Sequence, residues 1–401
     1  MTELADRPGL SELEAAFDHH DVEQARDPFS VYRALRPHCP VARSEQQGGF
    51  WAVLSYAENE QAFRDHGRFS SETVQVPRGE EWAFPAMPPV TFDPPRHRRL
   101  RKLLQPSFSP ARVARLEPEI RARAIASIEE VLATGKADGS KQYGLPIAVN
   151  AVVYLLGVPL ADEGLFAHWI DALVNVHGAA DREGSLQAAQ EMMGYFTGLI
   201  QDHRENPKDD LLSLVLEDEE NGVELTEPEL YGLVFLFLTA GLDTAWKVIA
   251  SSLHHLATHD EDRRRLVAQP ELIPAAVEEF LRFYAPTLMG RVATEDTELG
   301  GRQISRGDLL LLCNGAANRD PAVFHDPDKF IIDRNDARHI SFGSGIHRCI
   351  GAPIGQLEVR IALEEWLKRI PEFRLADPHS VQWIPGPIWG AYNVDLEWDT
   401  P

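Results

Sequence analysis

Cys349 stands in the stretch SFGSGIHRCIG, Ser341 to Gly351, behind two glycines and a histidine. Downstream, Ile350, Ile354, Leu357 and Ile361 recur at i, i+4, i+7 and i+11. That apolar stripe at helical spacing predicts a helix that begins at about Cys349 and ends near Arg369. A helix N-terminus offers N–H groups without partners and a partial positive charge. Such surroundings lower a thiol's pKa and favour the thiolate. Gly343, Gly345 and Gly351 permit unusual backbone angles and the close approach of a flat ligand. A sulfur presented in this way can serve as a nucleophile or as a metal ligand, or can simply fill space. The other two cysteines, Cys39 and Cys313, lie far off and form no CxxC pair. Neither a disulfide framework nor a cysteine zinc site is expected, and a reducing compartment is favoured.

Further polar residues sit at spacings suited to chemistry. Thr226-Glu227-Pro228-Glu229 has the form of a capping box with proline in the first turn. The helix it opens runs to about His259, over 30 residues and roughly 50 Å at 1.5 Å per residue. Residues 233–242 are apolar all round, so this part is expected to be buried. Asp243, Thr244 and Gly241 lie in or beside that run at a cost in stability, which calls for a reason. Two reasons compete. Thr244 can bond its own helix backbone while Asp243 pairs with Lys247 at i,i+4; or the two serve a function that outweighs the cost. Glu279 and Arg282, at i,i+3, share one helix face. So do His97 and Arg101, four apart in "DPPRHRRLRK".

Together these segments resemble the cytochrome P-450 superfamily, the haem-thiolate monooxygenases, over about Phe29 to Trp398. Phe342-Gly343-x-Gly345-x-His347-x-Cys349-x-Gly351 resembles its haem-binding loop. The resemblance implies haem b as cofactor, Cys349 as proximal iron ligand, Phe342 beside the sulfur and His347 at a haem propionate. Ala240-Gly241-Leu242-Asp243-Thr244 is similar to the oxygen-activation segment: small residues leave room for dioxygen, Thr244 hydrogen-bonds at the oxygen site, and Asp243 feeds protons. Glu279, Arg282 and Arg334 match the structural pair and its third member, which fix the loop before the cysteine. His97, Arg101 and Arg291 match propionate-binding positions. By family position, Trp82, Phe84, Met87, Leu236, Phe237, Ala240, Thr287, Leu288, Ile388 and Trp389 face the substrate, an apolar set that implies a small hydrophobic molecule such as a terpenoid or alkyl-aromatic compound. "RFSSE", "AGLDT" and "EEWLKRIPEF" bring the camphor-hydroxylase type nearest. Ile354, Gly355 and Gln356 depart from the family's Leu-Ala-Arg, and Gln356 removes a positive charge where electrons enter. Lys247 is a further departure; either it or His177 is expected to partner Asp243 and gate the proton path.

The elements that must position these residues follow from the whole chain. With 44% hydrophobic and 25% charged residues among 401, it can bury a sizeable core. Helical patterns dominate from about Arg96 to Arg282. A smaller β-rich part covers about 27–75, with short strands near 296–313 and 373–398, and residues 315–348 are mostly loop. The expected fold is mainly α, a single cytochrome P-450 domain over 1–401. The acidic N-terminus lacks an apolar run, so a signal peptide or anchor is not expected, nor a membrane partner, and a cytoplasmic protein is. Net charge of −23 argues against nucleic acid as a partner. Against it, Arg96, Arg98, Arg99, Arg101 and Lys102 form a local basic cluster. With no reductase module in the chain, electrons are expected from an acidic iron–sulfur ferredoxin and its NAD(P)H-dependent reductase, docking on Arg96, Arg98, Arg99, Lys102 and Arg348. The reaction implied is RH + O2 + 2e− + 2H+ → ROH + H2O. A haem protein without oxygenase activity and a cysteine-nucleophile hydrolase are the alternatives.

Overall fold

A computed structural model describes residues 8–78, 86–174, 182–220, 225–334, 336 and 338–400. Its organising element is the helix Glu227–Thr258, and the sequence accounts for both ends. Thr226 N donates to Glu229 Oε2 at 3.0 Å, and Pro228 lies in the first turn, where its missing N–H costs nothing. At the other end His259 leaves helical geometry at φ −126°. In between the helix is apolar on nearly every side and must be enclosed. The helices Leu145–Leu155, Glu163–Val174 and Ala352–Arg369 enclose it, together with the strand Gly390–Asn393. This is the one helix among the described residues long and apolar enough to cross a membrane, but 72% of its apolar window is buried inside the protein.

The fold is mainly α with a minor β part, as expected. A five-stranded sheet has the order Val41–Ser44, Phe50–Val53, Leu309–Cys313, Leu288–Ala293, Phe69–Ser70. Every neighbouring pair is antiparallel except Phe50–Val53 with Leu309–Cys313. Smaller sheets occupy the C-terminal region, where Asp395–Glu397 pairs with both Lys136–Asp138 and Arg374–Leu375, and Gln382–Ile384 pairs with Gly390–Asn393. The hairpin Thr297–Leu299 to Arg302–Ile304 turns on Gly300 and Gly301, both at positive φ, the geometry a two-residue hairpin needs.

Two expectations change. The N-terminal part does contain strands, but the helices Pro28–Leu35 and Tyr56–Arg64 hold more of its residues. The strand Leu288–Ala293 lies outside the expected β segments. Gly290 interrupts its β pattern, and a Cβ there would meet Gln75 N at 2.7 Å. The glycine lets the chain at Val74 and Gln75 lie against the strand, where Gly290 N donates to Val74 O at 2.8 Å.

Candidate active site around Cys349

The cysteine loop is built as the glycines require. Gly343 and Gly345 adopt φ +68° and +70°. A Cβ on Gly345 would also strike Phe63 O at 2.8 Å. Cys349 N donates to Phe342 O at 2.8 Å, closing the loop just before the helix Ala352–Arg369. The Cys349 sulfur accepts from the N–H groups of Gly351 and Ala352 at that helix's N-terminus. A Cβ on Gly351 would stand 3.8 Å from Sγ, and one on Gly355 3.9 Å from the Phe342 ring. Gly355, a departure from the family pattern, therefore sits against the aromatic side chain that flanks the loop.

One expectation about the thiol is overturned. Burial pushes the pKa of the free thiol up, and this outweighs the opposing N–H groups and the guanidinium groups of Arg101 and Arg348. Cys349 as a residue is nevertheless exposed. A cation on the sulfur would displace the proton outright, which the N–H groups alone do not achieve.

Four basic side chains from three segments surround this loop. Arg101, on the helix Arg96–Leu104, donates to Arg348 O at 2.6 Å. His97, one turn earlier, is buried with neither ring nitrogen bonded, and its ring lies 4.2 Å from that of His347. His347 Nε2 is also buried and unbonded. Arg291, on the strand Leu288–Ala293, is 1% exposed; Nη1 donates to Gly290 O at 2.7 Å, while Nη2 has no partner. Burial, then the charges of Arg291 and its neighbours, push His347 down to about 2; burial and Arg101 push His97 down to about 4; and burial takes Arg291 down to about 10. Two guanidinium groups and two neutral imidazoles with unpaired ring nitrogens, converging in this way, are costly alone and suited to buried carboxylates. Among the described residues, no three His, Cys, Asp or Glu side chains converge as a metal site. A metal on Cys349 must then bring most of its own donors. A porphyrin with two propionates meets both conditions, so the residues present fit haem.

The loop is held from behind by buried charge. Glu279 and Arg282, on the helix Ile273–Tyr284, pair through Nε to Oε2 at 2.7 Å and Nη2 to Oε1 at 2.8 Å. Arg334 Nε reaches both Glu279 oxygens at 3.1 Å. Arg282 also donates to the carbonyls of Asn318, Pro327 and Lys329. Asn318 continues to the loop, donating to Ser341 Oγ at 2.7 Å and accepting from Ile340 N at 2.8 Å. Gln356 has a role within the chain: its amide and His339 both bond Glu278, next to Glu279.

On the central helix the structural alternative for each polar residue is realised. Thr244 Oγ1 donates to Ala240 O at 2.9 Å. Asp243 and Lys247 form an ion pair of 2.9 Å, both 1% exposed. His177 lies outside the described residues. At Gly241 a Cβ would meet Val152 Cγ2 at 2.4 Å, so the glycine admits the helix Leu145–Leu155. Ala240 is exposed, however, with Leu236 and Thr244 partly so. At i, i+4 and i+8 these three form an open stripe on a largely buried stretch of helix.

The substrate-facing set divides. Trp82 and Phe84 lie outside the described residues. Met87, Leu236, Thr287 and Ile388 are partly exposed, and Thr287 and Ile388 form a β-bridge. Phe237 is core, stacked on Phe108 at 6.2 Å. Trp389 is core too: its ring stacks on Trp383 at 4.7 Å and Nε1 donates to Ala25 O. Leu288 lines a small cavity with Trp389 and Phe17 near the N-terminal helices. These three face packing because neighbouring aromatic rings and the sheet surround them.

Comparisons agree with the geometry. A family model described as Cytochrome P-450 matches residues 265–384. The polyketide biosynthesis cytochrome P-450 PksS of Bacillus subtilis is 36% identical over 384 residues, 92% of this chain and 94% of that one. The monooxygenase PikC of Streptomyces venezuelae is 35% identical, covering 93% of this chain and 92% of its own. A solved structure, cytochrome P-450 CREJ in complex with (4-ethylphenyl) dihydrogen phosphate, superposes with a TM-score of 0.87 at 30% identity, covering 96% of this chain and all of that one.

Proposed function

The chain belongs to the cytochrome P-450 family, the haem-thiolate monooxygenases, and on that premise we propose that it inserts oxygen into a hydrophobic substrate bound along the stripe of Leu236, Ala240 and Thr244. The observation that carries this is the meeting of an exposed Cys349 at a helix N-terminus with the buried, unsatisfied donors of His97, His347 and Arg291. Haem bound there would supply dioxygen activation, the thiolate pushing electron density toward the O–O bond. The protein's own residues do the rest. Cys349 would hold the group through its sulfur, Phe342 would flank that sulfur, and His97, Arg101, Arg291 and His347 would hold its carboxylates. Thr244 offers a hydroxyl on the open face of the central helix, now donated to Ala240 O, and Asp243 one position earlier takes up a proton and passes it on. Met87, Leu236, Ala240, Thr287 and Ile388 give the pocket an apolar lining that excludes water and favours apolar substrates. A terpenoid or alkyl-aromatic molecule suits this lining. PksS belongs to polyketide biosynthesis and CREJ is solved in complex with an aryl phosphate, so polyketide and substituted aromatic compounds both belong in the panel that tests it. Substrate-induced Soret shifts across that panel identify the class, and tight binding only of polar acids would contradict it.

Thr244→Ala is expected to keep haem and substrate binding while lowering product per NAD(P)H by about a hundredfold, the low end for a lost proton-transfer group. Oxygen uptake continues and appears as peroxide and water. Equal product yield in the variant removes the role.

Electrons are proposed to come from an acidic ferredoxin docking beside the cysteine loop. Arg98, Arg99, Lys102 and Arg348 are exposed, and the Arg101 bond to Arg348 O brings their segments together. Arg96 belongs less to this surface, since it pairs with Glu229 at 2.9 Å. Reduction is expected to slow with added salt, and roughly tenfold in Arg98→Glu/Lys102→Glu, within the range of electrostatic steering. Stopped-flow rates indifferent to ionic strength would exclude this surface.

A further inference from the structure

We propose that Lys247 ties the Asp243 carboxylate to the turn Pro387–Trp389, making the acid's orientation depend on the pocket wall; this rests on reading Asp243 and Thr244 as the proton relay. Lys247 Nζ lies 2.9 Å from Asp243 Oδ1 and donates to Ile388 O at 3.0 Å. A buried ammonium costs several kcal/mol unless paired, so these two acceptors dictate where it sits. The space for its stem is made by Gly390, where a Cβ would stand 2.7 Å from Lys247 Cβ and 3.1 Å from Cγ.

The turn it grips belongs to the wall. Thr287 and Ile388 form a bridge, Leu288 N donates to Pro387 O at 2.8 Å, and Trp389 N to Pro286 O at 2.7 Å. The segments 286–288 and 387–389 are thus one unit, and Lys247 links it to the acid. Asp243 Oδ1 also accepts from Trp246 Nε1 at 3.3 Å, while Oδ2 is buried without a partner. One carboxylate oxygen is held and the other is left for proton transfer. A substrate that shifts the wall would shift the held oxygen with it. Burial alone raises the Asp243 pKa, and Lys247 is the foremost opposing influence, so the lysine also favours the ionised acid.

The test uses the haem-loaded protein with Lys247→Met and Gly390→Ala. Infrared difference spectra of Lys247→Met against the parent are expected to show a protonated carboxyl band that vanishes in Asp243→Asn/Lys247→Met. Gly390→Ala crowds the stem but keeps the ammonium. It is expected to show no such band, yet faster amide exchange at 388–391 and a larger solvent isotope effect on turnover. Product formation falls roughly 10- to 100-fold in Lys247→Met, the cost of a misplaced group, and Lys247→Arg recovers part of it. If Lys247→Met shows no carboxyl band and parental isotope effect, the tether is wrong. If it does not fold, parental exchange and isotope effect in Gly390→Ala overturn the tether equally. A normal reduced carbon-monoxide spectrum throughout confines such a failure to the tether; a parent lacking that spectrum removes the reading beneath it.

Discussion

A Cys349→Ser chain supplied with haem is expected to lack the thiolate–carbonyl band in its reduced carbon-monoxide difference spectrum, and its substrate turnover should fall to background. The parent chain should show both. The expectation follows from the division of labour around the loop. His97, Arg101, Arg291 and His347 do not depend on the sulfur for their positions: Arg101 is fixed on Arg348 O, and Arg291 on Gly290 O. The variant should therefore still take up haem, and the loss should appear in the position of the carbonyl band and not in haem content. Serine keeps the loop's shape and its N–H neighbours but offers a hydroxyl that is a far poorer anion and iron donor than a thiolate. A parental band in Cys349→Ser would mean that another group ligates the iron, and the reading of this site would fall.

How far the sequence carries depends on whether a residue's reason is local. The capping box at Thr226, the helix after Cys349 and the Gly300-Gly301 turn are short-range features; the structure has the first and last where the pattern puts them and starts the helix at Ala352, three residues after Cys349. The motif glycines are also legible, because positive φ at Gly343 and Gly345 is a backbone requirement. Gly241 and Gly290 are not. Their reasons are Val152 and Gln75, distant in sequence, and nothing near either glycine points to the segment that approaches it. The pocket set divides for the same reason. Trp389 and Phe237 are apolar whether they face a ligand or a neighbouring ring, and only tertiary packing against Trp383 and Phe108 decides. The thiol's pKa escapes the sequence because a helix N-terminus can be inferred from spacing, whereas desolvation depends on everything around it. Gln356 reads as a missing charge in the sequence; its bond to Glu278 gives it a place in the network behind the loop.

That network yields the largest stability effect. Glu279→Ala is expected to destabilise the protein by about 3–5 kcal/mol, the cost of removing one partner from a buried ion pair. The glutamate accepts from Arg282, Arg334 and Ile331 N, and the side chains of Glu279, Arg282 and Arg334 are only 2%, 1% and 7% exposed. Its removal leaves two guanidinium groups buried against carbonyls alone. A typical domain has about 5–15 kcal/mol in all, so roughly a fifth or more is lost. The damage should not stay local. Arg282 also holds the carbonyls of Asn318, Pro327 and Lys329, and Asn318 holds Ile340 and Ser341 at the start of the cysteine loop. Loosening this chain of bonds should let the loop move and haem leave, so the purified variant should carry less haem and unfold at lower denaturant. Glu278→Gln is the control: it changes the neighbouring carboxylate, which is 33% exposed and bonds His339 and Gln356, and should cost only about 1 kcal/mol. If Glu279→Ala retains haem and its unfolding midpoint matches that of Glu278→Gln, the buried charges are not what fixes the loop.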